Sequence, residues 1–295
     1  MEKKNKTYPL NQSPIFKLTT KRKAANLLKL TVKELMDFRH SDHFYGERDI
    51  PKKSGGVRHI ENPARKLKII QARLARLLGR IDPPDYLFCP VKGRCYVTNA
   101  ARHRGNRIVR TLDVKKYFPN TPRRRVYWFF KTIMKSNSDV ADILAAIATY
   151  KGHLPTGSPL SPIMAFYAYY DVWQNVDKLV KQAGATNSLY IEDLTISGTR
   201  VPDRLMWEIK KVIHRSGLRY HKEKTYRDHP AEVTGVVIVG HKVVPPNRQL
   251  LKKYRVRRAF HAAKSELEKE RVLQQLNGLI GQTSQISSAN TVLTK

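Results

Sequence analysis

Apolar positions along the chain follow two periods, and the switches between them predict the elements. Over residues 21–30 the run Ala24, Ala25, Leu27, Leu28 has helical spacing. Thr31-Val32-Lys33-Glu34 has the form of a capping box, opening a second short helix with Leu35 and Met36 inward. Residues 44–62 read as strand, turn, strand, with Lys52-Lys53-Ser54-Gly55-Gly56 as the turn. Helical spacing returns in Leu67, Ile70, Leu74 and Leu78, on a helix over 63–78 whose other face is basic. Residues 108–113 form an apolar strand. Helices are expected from just after Pro122, carrying Val126 to Met134, from a cap at Ser138, and from the Pro159 and Pro162 region to about residue 181. An acidic hairpin occupies 188–197. Pro202 starts a helix with Leu205, Met206, Ile209, Val212 and Ile213 on one stripe, and Gly217 stops it. Residues 233–239 read as one strand with 241–245 pairing back. Basic helices follow from residue 248, with a polar tail from Ser287.

This order predicts an α+β fold. Small helices, a basic hairpin, a mixed core and a helical end suit the right-hand plan of nucleic-acid polymerases, with an antiparallel palm sheet and a helical thumb. The expected divisions are an N-terminal helical extension at 1–43, fingers at 44–105 with part of 121–160, palm at 106–240, and an RNA-binding thumb at 241–295.

Charge narrows the partner. The 295 residues carry 56 Lys plus Arg against 24 Asp plus Glu, a formal charge of +32. Such an excess repels itself unless a polyanion neutralises it, and nucleic acid does so with release of counterions. The basic residues run through the whole chain, and no apolar run reaches the roughly 18 residues of a spanning helix. Met1-Glu2-Lys3-Lys4-Asn5-Lys6 leads into no apolar segment, so a cytoplasmic, bacterial location with no membrane partner is expected. The two cysteines, Cys89 and Cys95, read as reduced thiols.

Three acids carry the candidate chemistry. Tyr190-Ile191-Glu192-Asp193 sets two carboxylates at a hairpin tip, and Asp113 ends the strand in Thr111-Leu112-Asp113-Val114. Hard oxygen ligands on rigid strands are what two-metal phosphoryl transfer requires. Lys53 and Arg58 flank two glycines and suit a triphosphate. Phe118 can lie under an incoming sugar and collide with a 2′-hydroxyl. Thr156 and Gly157 are small enough for close approach to a nascent base pair, and Lys224 can assist a leaving pyrophosphate. Lys252, Lys253, Tyr254, Arg255 and Arg258 mix charge with an aromatic that stacks on bases, as an RNA grip requires.

Taken together these segments resemble reverse transcriptases of the bacterial retron type, over about residues 14–285. The likeness rests on Ile50-Pro51-Lys52-Lys53-Ser54-Gly55-Gly56-Val57-Arg58, on Leu112-Asp113-Val114-Lys115-Lys116-Tyr117-Phe118-Pro119, on Leu154-Pro155-Thr156-Gly157-Ser158-Pro159-Leu160-Ser161-Pro162, and on the acidic hairpin. Two further segments match elements that separate retron enzymes from other relatives: Asn99-Ala100-Ala101-Arg102-His103 and Val233-Thr234-Gly235. The resemblance implies an RNA-directed DNA polymerase with Asp113, Glu192 and Asp193 holding two Mg2+ ions, or Mn2+. It implies dNTP substrates, a cognate noncoding RNA as template and primer, a branched RNA–DNA product, and antiphage defence with a separate effector protein. Asn99 and His103 are expected as RNA-recognition or scaffold residues. The family usually has aspartate where this chain has Glu192, which carries its carboxylate about 1.5 Å further out. An active enzyme with altered rate or metal preference is expected. The rivals are a noncatalytic or weakly active RNA-binding scaffold and another bacterial defence or intron-related reverse transcriptase.

Overall fold

The strand Ile108–Val114 (β4) organises the molecule. The computed structural model describes residues 7–51 and 55–290. Asp193–Gly198 (β6) pairs with β4 on one side and Tyr220–Arg227 (β7) on the other, both antiparallel. Beyond β6 lie Thr186–Tyr190 (β5), antiparallel, and then Leu87–Cys89 (β3), parallel to β5. The sheet order is therefore β3-β5-β6-β4-β7. Side chains alternate across a strand, so Leu112 and Val114 leave one face and Thr111 and Asp113 the other. Leu112, Leu189, Leu194 and Ile196 join a buried core with Trp173 and Val176 of helix Tyr170–Gln182 (α8) and Ile209 and Ile213 of helix Asp203–Arg215 (α9).

The edge strand β7 has no apolar alternation. Its ladder to β4 and one half-buried polar knot hold it: Glu223 accepts from Arg110 at 2.8 Å and pairs with Lys210 at 2.5 Å. Arg110 is itself buried and also bonds Asp203.

A second, smaller core covers part of the opposite face. Ala231–Val233 (β8), Val236–Val239 (β9) and Lys242–Val244 (β10) form an antiparallel sheet of their own. Its apolar side packs with Val97 and Ala100 of the helix Tyr96–Ala101 (α4), with Val109 of β4 and with Ile286. The expected single strand over 233–239 is thus corrected to two strands. Thr234 and Gly235 both have positive φ, 46° and 82°, so they form the two-residue turn between β8 and β9.

Helices Lys21–Leu28 (α1), Val32–Asp37 (α2) and Arg65–Leu78 (α3) share the main core with Ser138–Ala148 (α6). The capping box at Thr31 and Glu34 forms as expected. At α6 the N-cap is Asn137, not Ser138. Tyr45–Pro51 (β1) and Val57–Pro63 (β2) make the basic hairpin. Arg123–Trp128 (α5) runs on into a π turn at Phe129–Ile133. The long helix expected up to residue 181 is two: Ser161–Ala168 (α7) and α8. They break at Tyr169, whose φ/ψ of −119°/31° leave the helical region while its hydroxyl donates to Asn120 O at 3.0 Å.

The C-terminal helices are Asn247–Ala262 (α10) and Glu266–Ser288 (α11). α10 buries no residue, while α11 turns Leu276, Leu279, Thr283 and Ile286 inward. The helix ends at Ser288, within a residue of the point where the polar tail is expected. Asn290 then bonds both the N–H and the carbonyl of Val243, each at 2.8 Å. Among the described residues no helix is long and apolar enough to cross a membrane.

Candidate active site

The three predicted acids meet where β4, β5 and β6 end. Asp113 and Asp193 are direct cross-strand partners, and Tyr190 pairs with Asp193, so Ile191 and Glu192 are the two turn residues. Ile191 has φ of 56°, a conformation a β-branched side chain rarely adopts. A turn with positive φ at its first central residue normally takes glycine there. The carbonyl of Glu192 accepts from Val114 N at 3.0 Å, which ties the strained turn to the strand that carries Asp113.

Crowding of like charge marks this point. Burial, then the charges of Asp193 and Asp113, pushes the Glu192 carboxyl up to about 7. Burial and the Asp113 charge push Asp193 up to about 6. Asp113 Oδ1 lies 3.1 Å from His221 Nδ1. Among the described residues no three His, Cys, Asp or Glu side chains are already gathered at metal-binding distance. The donor chemistry nonetheless fits divalent cations: hard carboxylate oxygens on adjacent strands, mutually repelling until a positive charge is shared.

A cleft of about 250 Å³ opens beside the acids, between this sheet and the β8–β9 turn. Asp113, Asp193, Lys222, Lys224, Glu232 and Thr234 line it. Lys222 stands opposite Asp113 in register and Lys224 opposite Thr111. The charges of Lys222 and Lys224 both act on Asp193, against its rise. Lys224 thus stands in the cleft beside the acids, whereas Lys222, His221, Glu232 and a cleft position for Thr234 escape the sequence reading. The signal available for Lys222 was the alternation in His221-Lys222-Glu223-Lys224, which puts Lys222 and Lys224 on one face of a strand.

The other predicted residues surround this centre. Arg58 is exposed on β2, and its charge lowers Glu192 against the main trend. Lys53 lies outside the described residues. Phe118 is half-buried in the loop after β4, stacked on Tyr117 with ring centroids 6.1 Å apart. Thr156 and Gly157 serve the β1–β2 hairpin: Thr156 Oγ1 accepts from Glu61 N and donates to His59 O, both at 3.1 Å. Gly157 N donates to Glu61 O at 3.0 Å, and a Cβ at Gly157 would stand 2.5 Å from that oxygen. The close approach that requires glycine at 157 is therefore made by the backbone of Glu61.

Asn99 and His103 lie inside the fold. Both are fully buried, so neither side chain reaches a polyanion. His103 is held between Ser197 Oγ at its Nδ1 and Ser188 Oγ at its Nε2, both at 2.7 Å. Burial, with Arg102 adding to it, pushes the ring down to about 3, so it stays neutral and donates at one nitrogen while accepting at the other. Asn99 Nδ2 donates to Thr234 Oγ1 at 3.3 Å, and Thr234 Oγ1 donates to Tyr96 O at 3.0 Å. The two segments singled out in the sequence thus touch: α4 props the β8–β9 turn at the cleft, and His103 bolts α4 to the sheet. They are scaffold.

On α10, Lys252, Arg255 and Arg258 are exposed, and Tyr254 is 60% exposed. Lys253 is half-buried with its Nζ 3.5 Å from Thr283 Oγ1. Among the described residues Lys252, Arg255 and Arg258 have no ion-pair partner, so their charge is available to a phosphate backbone. Cys89 and Cys95 are free thiols.

The sequence matches the family "Reverse transcriptase (RNA-dependent DNA polymerase)" over residues 50–238, which holds all three acids, the second strand of the basic hairpin and the residues that line the cleft. Among similar proteins, the retron Se72 reverse transcriptase of Salmonella heidelberg (strain 579083-10) is 30% identical over 159 residues, 53% of this chain and 42% of that protein. The retron Mx65 reverse transcriptase of Myxococcus xanthus is 30% identical over 215 residues, 64% of this chain and 50% of that protein. The retron Ec86 reverse transcriptase of Escherichia coli is 26% identical over 193 residues, 63% and 60%. The chain spans about half the length of these curated relatives. With its acids at the point where the matched region converges, the chain belongs to the reverse transcriptase family, among relatives of the bacterial retron type.

Proposed function

We propose that the chain is an RNA-directed DNA polymerase that copies a cognate structured noncoding RNA into single-stranded DNA branched from that RNA. It would act in the bacterial cytoplasm, in antiphage defence with a separate effector protein. The observation that carries the reading is the register pair Asp113–Asp193 with Glu192 in the adjoining turn. In this reading residues 1–43 are an N-terminal extension, the β1–β2 hairpin belongs to the fingers (44–105 with part of 121–160), the five-stranded sheet is the palm (106–240), and α10 and α11 are the thumb (241–295).

Asp113, Glu192 and Asp193 would hold two Mg2+ ions, with Mn2+ an alternative. When bound, such ions supply positive charge to the attacking and leaving oxygens of an in-line displacement. Arg58 faces the triphosphate from the fingers, and Lys53 is assigned with it from sequence. Phe118 bars a ribose 2′-hydroxyl and so selects dNTPs. The nucleophile is a guanosine 2′-hydroxyl of the RNA at initiation and a 3′-hydroxyl in elongation. It forms a bond to the α-phosphorus, loses its proton, and pyrophosphate leaves. Lys224 neutralises that leaving group. Thr156 and Gly157 seat the fingers hairpin, and the exposed bases of α10 grip the RNA backbone.

The test is to purify the protein with its nucleic acid and digest the product with RNase and with DNase. A DNA strand that keeps a branched RNA remnant after RNase supports the reading. RNA alone, with no DNA made under Mg2+ or Mn2+ by the wild type or by Glu192→Asp, supports the noncatalytic scaffold instead.

A further inference from the structure

We propose that Glu61 is a positioning residue that sets the gap between the two sides of the nucleotide pocket, and with it the preference for deoxyribose. The inference rests on the polymerase reading above. It starts from a pairing that a free-standing hairpin disfavours. Glu47 of β1 and Glu61 of β2 are register partners, so two carboxylates share one face of the hairpin. Like charges directly opposite each other on paired strands repel. Here each finds its partners in the chain at residues 150–156. Glu47 Oε1 accepts from the Tyr150 hydroxyl and from Lys151 Nζ, both at 2.6 Å. Glu61 is only 5% exposed, with Oε1 2.8 Å from His153 Nε2 and Oε2 accepting from Thr156 N at 3.2 Å. A buried carboxylate with both oxygens taken is held in one direction.

The turn that Glu61 grips leads to Phe118. His153 bridges Pro122, Arg123 N donates to Gly152 O at 2.8 Å, and Leu154 N donates to Thr121 O at 3.1 Å. Thr121 N in turn donates to Phe118 O at 3.0 Å, and its buried hydroxyl donates to Tyr117 O at 2.7 Å. Arg58 stands three residues before Glu61 on β2. A run of hydrogen bonds therefore joins the strand of Arg58, on the triphosphate side, to the loop of Phe118, on the sugar side. The Glu61–His153 bond is the side-chain link in that run. Without it β2 keeps its backbone bonds to Thr156 and Gly157, but the 150–153 turn is free to move, and Phe118 with it.

Single-nucleotide extension on an RNA template, with dNTP and with rNTP, tests this. Glu61→Ala and His153→Ala should each raise KM for dNTP by about tenfold, change kcat less than about twofold, and lower the preference for dNTP over rNTP by about fivefold. The double variant should match Glu61→Ala alone, because the two residues act through one bond. Glu61→Gln should hold KM within about twofold of wild type: its amide oxygen still accepts from Thr156 N, and its NH2 donates to His153 Nε2 while Nδ1–H turns to Lys151 O, 3.3 Å away. Wild-type KM and sugar preference in the Ala variants, losses that multiply, or a Gln variant as impaired as Ala would overturn the proposal. His153→Phe carries the test if Glu61→Ala does not fold: a raised KM with a weaker sugar preference supports the proposal, and wild-type values overturn it. Asp113→Asn separates the two levels. Full activity in that variant defeats the polymerase reading itself. An inactive Asp113→Asn beside a Glu61→Ala variant with wild-type KM and sugar preference defeats the role of Glu61 alone.

Discussion

Raising the pH of the metal-free protein should unload a specific penalty onto its stability. Glu192 rises from an ordinary 4.5 to about 7 in the fold, and Asp193 from 3.8 to about 6. Through that window the folded chain holds protons that the unfolded chain has lost. Unfolding free energy therefore falls as pH rises, with no penalty below the unfolded values and the full penalty above about pH 7. A carboxyl whose titration midpoint moves by one on the pH scale when the chain folds changes stability by about 1.4 kcal/mol, and partial solvation of Glu192 leaves on the order of 2 kcal/mol for that group. His103 works in the opposite direction. Its folded value of about 3 against an ordinary 6.5 means that acid destabilises the fold through it. The two are separated by taking the difference in Tm between wild type and Glu192→Gln in EDTA, since His103 is common to both. From about pH 5 to about pH 8 wild type should lose roughly 4–8 °C relative to the variant, at about 2–4 °C per kcal/mol for a chain of this size. Millimolar Mg2+ should restore wild type at the upper end, because a ligand that binds only the folded state stabilises it. A difference that does not change with pH, or that favours wild type as pH rises, would refute the crowding of these carboxylates.

Two further outcomes follow from single contacts and a third from the charge of α10. Gly157→Ala forces a Cβ against the carbonyl of Glu61 and should cost about 1–3 kcal/mol, read as a lower Tm with looser protease protection of the β1–β2 hairpin. His103→Ala strips Ser188 and Ser197 of their shared partner and should cost roughly 2–4 kcal/mol, while RNA affinity at a temperature where both proteins are folded stays unchanged. With roughly eight phosphates neutralised, the log–log salt slope of RNA binding should be about −6 to −7, and Arg255→Ala with Arg258→Ala should make it shallower by about 2.

What could be read in the chain beforehand depended on range. Asp113 and the acidic hairpin were legible because each lies at the end of a short apolar run, and pairing of those runs brings the acids together. The capping box at Thr31 is a four-residue signal and needed nothing else. β7 was missed because Tyr220–Arg227 has no apolar alternation, its two tyrosines flanking a charged run; its strand state comes from the ladder to β4, from Tyr220 and Tyr226 packing on the two cores, and from Glu223 bound to Arg110. Val233–Val239 read as one strand because Thr234 is β-branched, yet the turn is held by Tyr96 and Asn99, distant in sequence. The burial of His103 was equally invisible, its partners being 85 and 94 residues away. For Gly157 the sequence indicated a close approach but could not say that the approaching atom belonged to Glu61.

The central claim is that Asp113, Glu192 and Asp193 act as one cation site for DNA synthesis. The most direct measurement is Mg2+-dependent incorporation of labelled dNTP on bound RNA, comparing wild type with Asp113→Asn at equal RNA occupancy. The account predicts RNA-linked DNA from wild type and a loss of at least about a hundredfold in the variant, with RNA binding intact. Equal incorporation by the two proteins would contradict it.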